Sequence, residues 1–159
     1  MKKVLIWISI PFLAWYISNN WFQLMLIQGE SMAPSYDNMQ LVMLNKYDRE
    51  FQRGDVVAFW SQELSCVLVK RIVAVPGDDA VIKHGTLYIN DCVSEVYLET
   101  GIFSYAGLLE NTIYLQSEEY LLIGDNIALS KDSRYPEVGI VTESQFYGRV
   151  ATLNFSQIR

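Results

Sequence analysis

Histidine, clustered cysteine and positive charge are what this chain lacks. It holds one histidine, His84, and two well-separated cysteines, Cys66 and Cys92. No Cys/His group has zinc spacing, so no metal and no other cofactor is implied. Lys and Arg number 12 against 18 Asp and Glu, a net charge of −6, and only Lys2 and Lys3 cluster at a chain end. That excludes nucleic acid as a partner and excludes a polybasic membrane patch. Repeats and low-complexity tracts are absent too. The two cysteines read as small buried residues, with one disulfide left open if the domain faces an oxidising space. His84, beside Gly85, reads as a surface residue of a hairpin turn. What is abundant is apolar: 51% of the 159 residues are hydrophobic and 13% aromatic. Disorder is thereby excluded, and one domain with a moderate core is expected.

The first apolar stretch is the longest. No charge occurs from Val4 to Ile17, and after Asn19 and Asn20 the run Trp21 to Ile27 is apolar apart from Gln23. Roughly 20 helical residues span a bilayer core. Val4 to Phe22 reaches that length if both asparagines sit at the interface, with Trp15, Tyr16, Trp21 and Phe22 as an aromatic belt. Pro11 is tolerated there as a kink. A cleaved leader needs a small-x-small site, but Ala14 is followed by Trp15, Tyr16 and Ile17. Residues 1–22 are therefore expected to be an uncleaved membrane anchor. Lys2 and Lys3 put the N-terminus on the cytoplasmic side and the rest outside. A buried core helix is the alternative, against which stands the lack of any charge between Lys3 and Glu30.

Beyond residue 30 helical periodicity is scarce. Strand-like runs occupy 40–44, 55–60, 66–75, 80–83, 86–89, 112–115, 120–123 and 145–153, separated by Gly-, Pro- and Asp-containing turns. A mostly β domain is expected over 23–90 and 119–155. Residues 91–118 lack a pattern and read as a short irregular insertion. Trp21 to Ile27 does not alternate, so both its faces are expected to meet protein or lipid.

"GESMAP" (29–34) sets Ser31 in a tight turn after an apolar run. A serine becomes a nucleophile only beside a base. With His84 in a polar turn, the candidate is a lysine made neutral by burial. Lys70 lies in "SCVLVKRIVAV", where a two-residue period puts Cys66, Leu68, Lys70, Ile72 and Ala74 on one face and Arg71 on the other. Pattern alone leaves equally open a strand lysine whose stem reaches water.

"GESMAP" (29–34), "RGDVVAF" (53–59), "VKRIVAVPGD" (69–78) and "GDNIALSKDSR" (124–134) occur in order. With the N-terminal segment, they make the chain resemble the bacterial type I signal peptidases, membrane-bound Ser/Lys proteases, in their short Gram-positive form. The resemblance implies a coiled antiparallel β-sheet domain carried on one N-terminal transmembrane helix. It also implies removal of signal peptides from secretory preproteins at the bilayer surface. It matches Ser31 to the nucleophile, Lys70 to the general base, and Ser130 to a serine that hydrogen-bonds the base. Asp132 and Arg134 match a bracing pair, for which an ordinary surface ion pair is the plain alternative. Asp125 and Asn126 belong to the same turn. Gln28, Gly29 and Met32 fall on the expected substrate strand and oxyanion region. The substrate would lie extended there, with small residues at the first and third positions before the cut. Gly29 departs from members that carry a serine hydroxyl at this place, and Ile127 and Leu129 replace basic and polar residues. The alternative is a non-proteolytic or specialised assembly factor for pili or surface structures with the same fold. A self-cleaving repressor, which also uses a Ser/Lys pair, would need a DNA-binding module where this chain has its apolar segment.

Overall fold

Short apolar runs ended by turn residues become strands. The computed structural model describes residues 21–97 and 101–152. In chain order the strands there are β1 (Phe22–Leu26), β2 (Leu41–Asn45), β3 (Val56–Ser61), β4 (Cys66–Ala74), β5 (Asp79–Lys83) and β6 (Thr86–Ile89). Then follow β7 (Cys92–Val93), β8 (Ile113–Tyr114), β9 (Glu119–Ile123), β10 (Val141–Thr142) and β11 (Phe146–Thr152). A seven-stranded sheet runs β1-β2-β11-β3-β4-β9-β10, and a four-stranded sheet runs β7-β6-β5-β8. Their pairings are antiparallel. The fold is mostly β, as expected.

Alternation along β3 divides the core. Val56 and Ala58 join Ile27, Met32, Tyr36, Val42, Leu44 and Val150 in one cluster. Val57 and Phe59 join Phe51, Ile72, Tyr120, Leu122, Val141 and Phe146 in another. β3 is thus covered on both faces, and its neighbour β4 gains a rigid partner. A third cluster fills the space between β9 and the smaller sheet, with Ile82, Leu87, Leu121 and Ile123 at its centre. The β5–β6 hairpin turns at His84 and Gly85, whose φ values of 52° and 76° are those of a two-residue type I′ turn. His84 is exposed there.

Four expectations meet the described residues in different ways. The segment assigned to the anchor, 1–22, meets the described residues only at Trp21 and Phe22. Phe22 opens β1 opposite Asn45, because backbone pairing with β2 starts there. The remainder of that segment lies outside the described residues, and among the described residues no helix is long and apolar enough to cross a membrane. Protein does not cover both faces of Trp21 to Ile27: Ile27 is buried, but Trp21, Phe22, Leu24 and Leu26 are exposed. Residues 91–118 are more ordered than the missing pattern suggests. They form β7, β8 and two 3₁₀ turns (Glu95–Tyr97 and Gly107–Glu110), and they bury Tyr97, Phe103, Leu109 and Leu115 in the third cluster. Elements of two to four residues are too short to leave a period. Cys66 and Cys92, finally, are exposed free thiols, neither buried nor paired.

Candidate active site

Ser31 is carried by a turn that is anchored at both ends. Before it, Ile27 exchanges backbone hydrogen bonds with Gln40 and Met39. After it, Ala33 N–H donates to Glu30 O and Tyr36 N–H to Met32 O. Met32 is fully buried in the cluster beneath the turn. Its apolar side chain, next to the Ser31 hydroxyl in sequence, points into the core and acts as the turn's root. Gly29, at φ 90°, adopts a left-handed conformation that glycine tolerates and other residues resist.

Lys70 comes from the middle of β4, paired with Val57 of β3. Its Nζ donates to Ser31 Oγ at 2.7 Å and to Val69 O at 3.0 Å. The residue is only 2% exposed. Burial lowers its pKa from 10.5 to about 8, against the pull of the Asp132 and Asp125 charges, which raise it. The alternative of a lysine reaching water is excluded by this burial. The two-residue period holds through Ile72. A register shift against β9 then interrupts it, so Val73 and Ala74 both enter the third cluster instead of alternating. Arg71, which sequence reading singled out only for its opposite direction, grips the neighbouring loop. Its guanidinium donates to both carboxylate oxygens of Asp125, at 2.7 and 2.5 Å, and to Gly54 O and Ser35 Oγ. That pairing raises the Arg71 pKa. Asp125 thus acts on the strand that holds Lys70, through Arg71.

The loop 124–134 closes the site from the other side. Asn126 N–H donates to Ser31 O at 3.0 Å, and Ser130 N–H to Asn126 O at 2.9 Å. Asp132 and Arg134 are buried, which excludes the surface-pair alternative. Asp132 accepts from Gly124 N–H and from Arg134 Nε and Nη2, while Arg134 Nη2 also donates to Ile127 O and Ser130 O. The pair therefore ties the loop's start to its end. Ser130 departs from expectation. Lys70 donates to Ser31 and Val69 instead, and Ser130 Oγ, buried against Gly124, has no hydrogen-bond partner among the described residues. Gly124 is a site residue that the sequence reading treated only as part of a turn. A Cβ there would collide with Ser130 Oγ and lie 2.5 Å from Ser31 O.

Above this assembly lies an open cleft of about 520 Å³, lined among others by Gln28, Gly29, Ser31, Leu68, Lys70 and Leu129. A smaller cavity of about 170 Å³, under Gly85–Leu87 and Ile102–Phe103, has no charged side chain in its wall. Among the described residues no group of His, Cys, Asp and Glu could hold a metal ion. The chemistry available in the cleft is that of a hydroxyl bonded to a lysine amine of lowered basicity, open to an extended ligand.

Known proteins share this arrangement of sequence and fold. The family described as "Signal peptidase, peptidase S26" matches residues 1–155. Signal peptidase I P of Bacillus subtilis subsp. natto is 32% identical over 144 residues, covering 84% of this chain and 76% of that protein. Signal peptidase IB of Staphylococcus aureus is 32% identical over 143 residues, covering 79% and 73%. The crystal structure of a signal peptidase I from Enterococcus faecalis V583 superposes with a TM-score of 0.53. It is 23% identical and covers 64% of this chain and 97% of that one, a likeness of fold. From a match that runs through all four motifs and most of the chain's length, the conclusion is direct: the chain belongs to the signal peptidase family, peptidase S26.

Proposed function

We propose that the protein is a membrane-bound serine endopeptidase that removes N-terminal signal peptides from exported preproteins with a Ser31/Lys70 dyad. The observation that carries this reading is the 2.7 Å hydrogen bond from Lys70 Nζ to Ser31 Oγ in an open cleft. The names of its relatives, signal peptidases, support the substrate class.

The steps follow from that bond. The neutral Lys70 amine accepts the Ser31 hydroxyl proton as Oγ bonds to the scissile carbonyl carbon. The carbonyl oxygen becomes an oxyanion, met by the Ser31 backbone N–H. Gly29 supplies no hydroxyl for this purpose. The Lys70 ammonium then protonates the leaving amine, the C–N bond breaks and the mature chain departs. Next Lys70 takes a proton from water, whose oxygen attacks the acyl ester. Lys70 returns that proton to Ser31 Oγ as the signal peptide leaves with a free carboxylate. Ser130, Asp125, Asp132 and Arg134 hold the loop behind Ser31 and take no proton. No metal or cofactor has a part in these steps.

The substrate lies extended between Gln28–Ser31 and Cys66–Lys70, held by main-chain hydrogen bonds. Its small residues at the first and third positions before the cut sit in the shallow apolar part of the cleft, near Leu68. The membrane reading rests on the apolar segment before residue 21 and on the exposed edge that continues it. Trp21, Phe22, Leu24, Leu26 and Leu41 are apolar and exposed, and Leu26 pairs with Leu41. Such a rim suits the acyl boundary of the bilayer, with the N-terminus cytoplasmic and the β domain on the outer side. The direct test incubates detergent-solubilised full-length protein with a model preprotein. Release of the signal peptide by the parent protein and none by Ser31→Ala is expected. Equal release by both proteins would refute the assignment.

A further inference from the structure

The backbone just before Ser31 rests on one side chain from outside the motifs. Ile27 is fixed by its exchange with Gln40 and Met39, and Glu30 to Met32 are fixed by the turn and by Asn126. Gln28 and Gly29 lie between these fixed points. Glycine has the widest backbone freedom of any residue. A Cβ at position 29 would find no atom within 4 Å, so nothing packs against the backbone on that side. The hydrogen bond that does hold it runs from Gly29 N–H to Asn38 Oδ1, at 2.9 Å. Asn38 can serve because it sits on a tight turn of its own. Gln40 N–H donates to Asp37 O, Asp37 N–H donates to Gln40 Oε1, and Met39 N–H donates to Ile27 O at 2.8 Å. The Asn38 side chain also borders the cleft beside Ser31 and Gly29.

Building on the signal-peptidase reading above, we propose that Asn38 is a positioning residue for the reaction: its Oδ1 fixes Gly29 and thereby aims Ser31 and the adjoining substrate backbone. What the role requires is an acceptor at this place, not a donor and not a charge. A rotation at Gly29 would displace the Ser31 hydroxyl and N–H together from the scissile carbonyl, and attack is sensitive to displacements below an ångström. Lys70 lies on a different strand and keeps its burial and its bond to Val69 O.

The test compares the full-length parent with Asn38→Ala and Asn38→Asp in detergent, with a model preprotein as substrate and amide hydrogen exchange at Gly29 as a second readout. Asn38→Ala is expected to lower kcat roughly tenfold, the scale of one hydrogen bond, with KM within about twofold. Its pH profile keeps the parent's midpoint, and Gly29 N–H exchanges faster. Asn38→Asp retains the acceptor and is expected to restore both kcat and Gly29 protection. Parent-like kcat in Asn38→Ala would overturn the inference, as would an Asn38→Asp protein as slow as Asn38→Ala or a shifted pH midpoint. Each of these outcomes leaves the signal-peptidase reading standing. A parent protein that leaves the preprotein intact would overturn that reading and this one with it.

Discussion

Asn126 donates its backbone N–H to the carbonyl oxygen of Ser31 at 3.0 Å, so the turn bearing the hydroxyl and the loop 124–134 are joined main chain to main chain. Such a joint leaves room for no side chain at Gly124. A Cβ there would collide with Ser130 Oγ and lie 2.5 Å from Ser31 O, and the second of these is backbone. Gly124→Ala should therefore destabilise the protein by about 1–3 kcal/mol, the usual cost of overpacking. It should also slow preprotein cleavage by pushing Ser31 away from Lys70. Thermal melting and initial cleavage rates measure the two effects. Parent values for both would mean that the loop gives way without consequence.

The buried pair behind that loop makes a sharper demand. Asp132 is 0% and Arg134 1% exposed. Asp132→Ala leaves the guanidinium buried with carbonyl partners but no counter-charge, an uncompensated state that costs about 3–5 kcal/mol. Replacing both residues with apolar ones removes that charge as well. The Asp132→Ala/Arg134→Met double mutant should thus lose less stability than Asp132→Ala alone. Denaturant unfolding of the three proteins decides it. A double mutant that loses the sum of the single losses would show that the pair's worth lies in Arg134's bonds to Ile127 O and Ser130 O.

Much of this architecture was legible in the chain, for reasons that differ from residue to residue. β3 to β6 lie in short apolar runs closed by Gly and Asp, and His84-Gly85 has the residues that a type I′ turn requires. Ser31 and Lys70 were paired through the four ordered motifs. The period of β4 alone could not decide whether Lys70 was buried, because burial depends on what β3 and the loop 124–134 place around it. Asn38, Arg71 and Gly124 act through contacts between segments far apart in sequence, which leave no local pattern. Ala74 broke the alternation for a similar reason: the register shift belongs to the pairing of β4 with β9, not to β4 itself.

Cleavage should depend on pH through Lys70. Only the neutral amine can take the Ser31 proton, and burial lowers its pKa to about 8. About half of the molecules hold a neutral Lys70 at that pH, and about one in a hundred two pH units lower. Initial rates under kcat/KM conditions should rise about tenfold per pH unit below the midpoint and level off above it. A profile flat from acid to alkaline buffer would exclude Lys70 as the base.

The same lysine should make folding stability depend on pH. Between about 8 and 10.5 the unfolded chain carries a proton on Lys70 that the native state has lost, so stability rises with pH across that window. Below about pH 8 the burial penalty on the charged amine is fully present, on the order of 3 kcal/mol at 1.36 kcal/mol per pH unit. Methionine has a similar length and no charge. Lys70→Met should therefore be more stable than the parent below about pH 8, by up to about 3 kcal/mol less the two lost hydrogen bonds to Ser31 and Val69. Its advantage should shrink steadily as the pH approaches 10.5. Urea unfolding of both proteins in detergent at about pH 6.5, 8 and 10 measures the gap. A gap constant with pH would mean that Lys70 titrates alike in the folded and unfolded states, and the lowered basicity on which the proposed proton transfer depends would be gone.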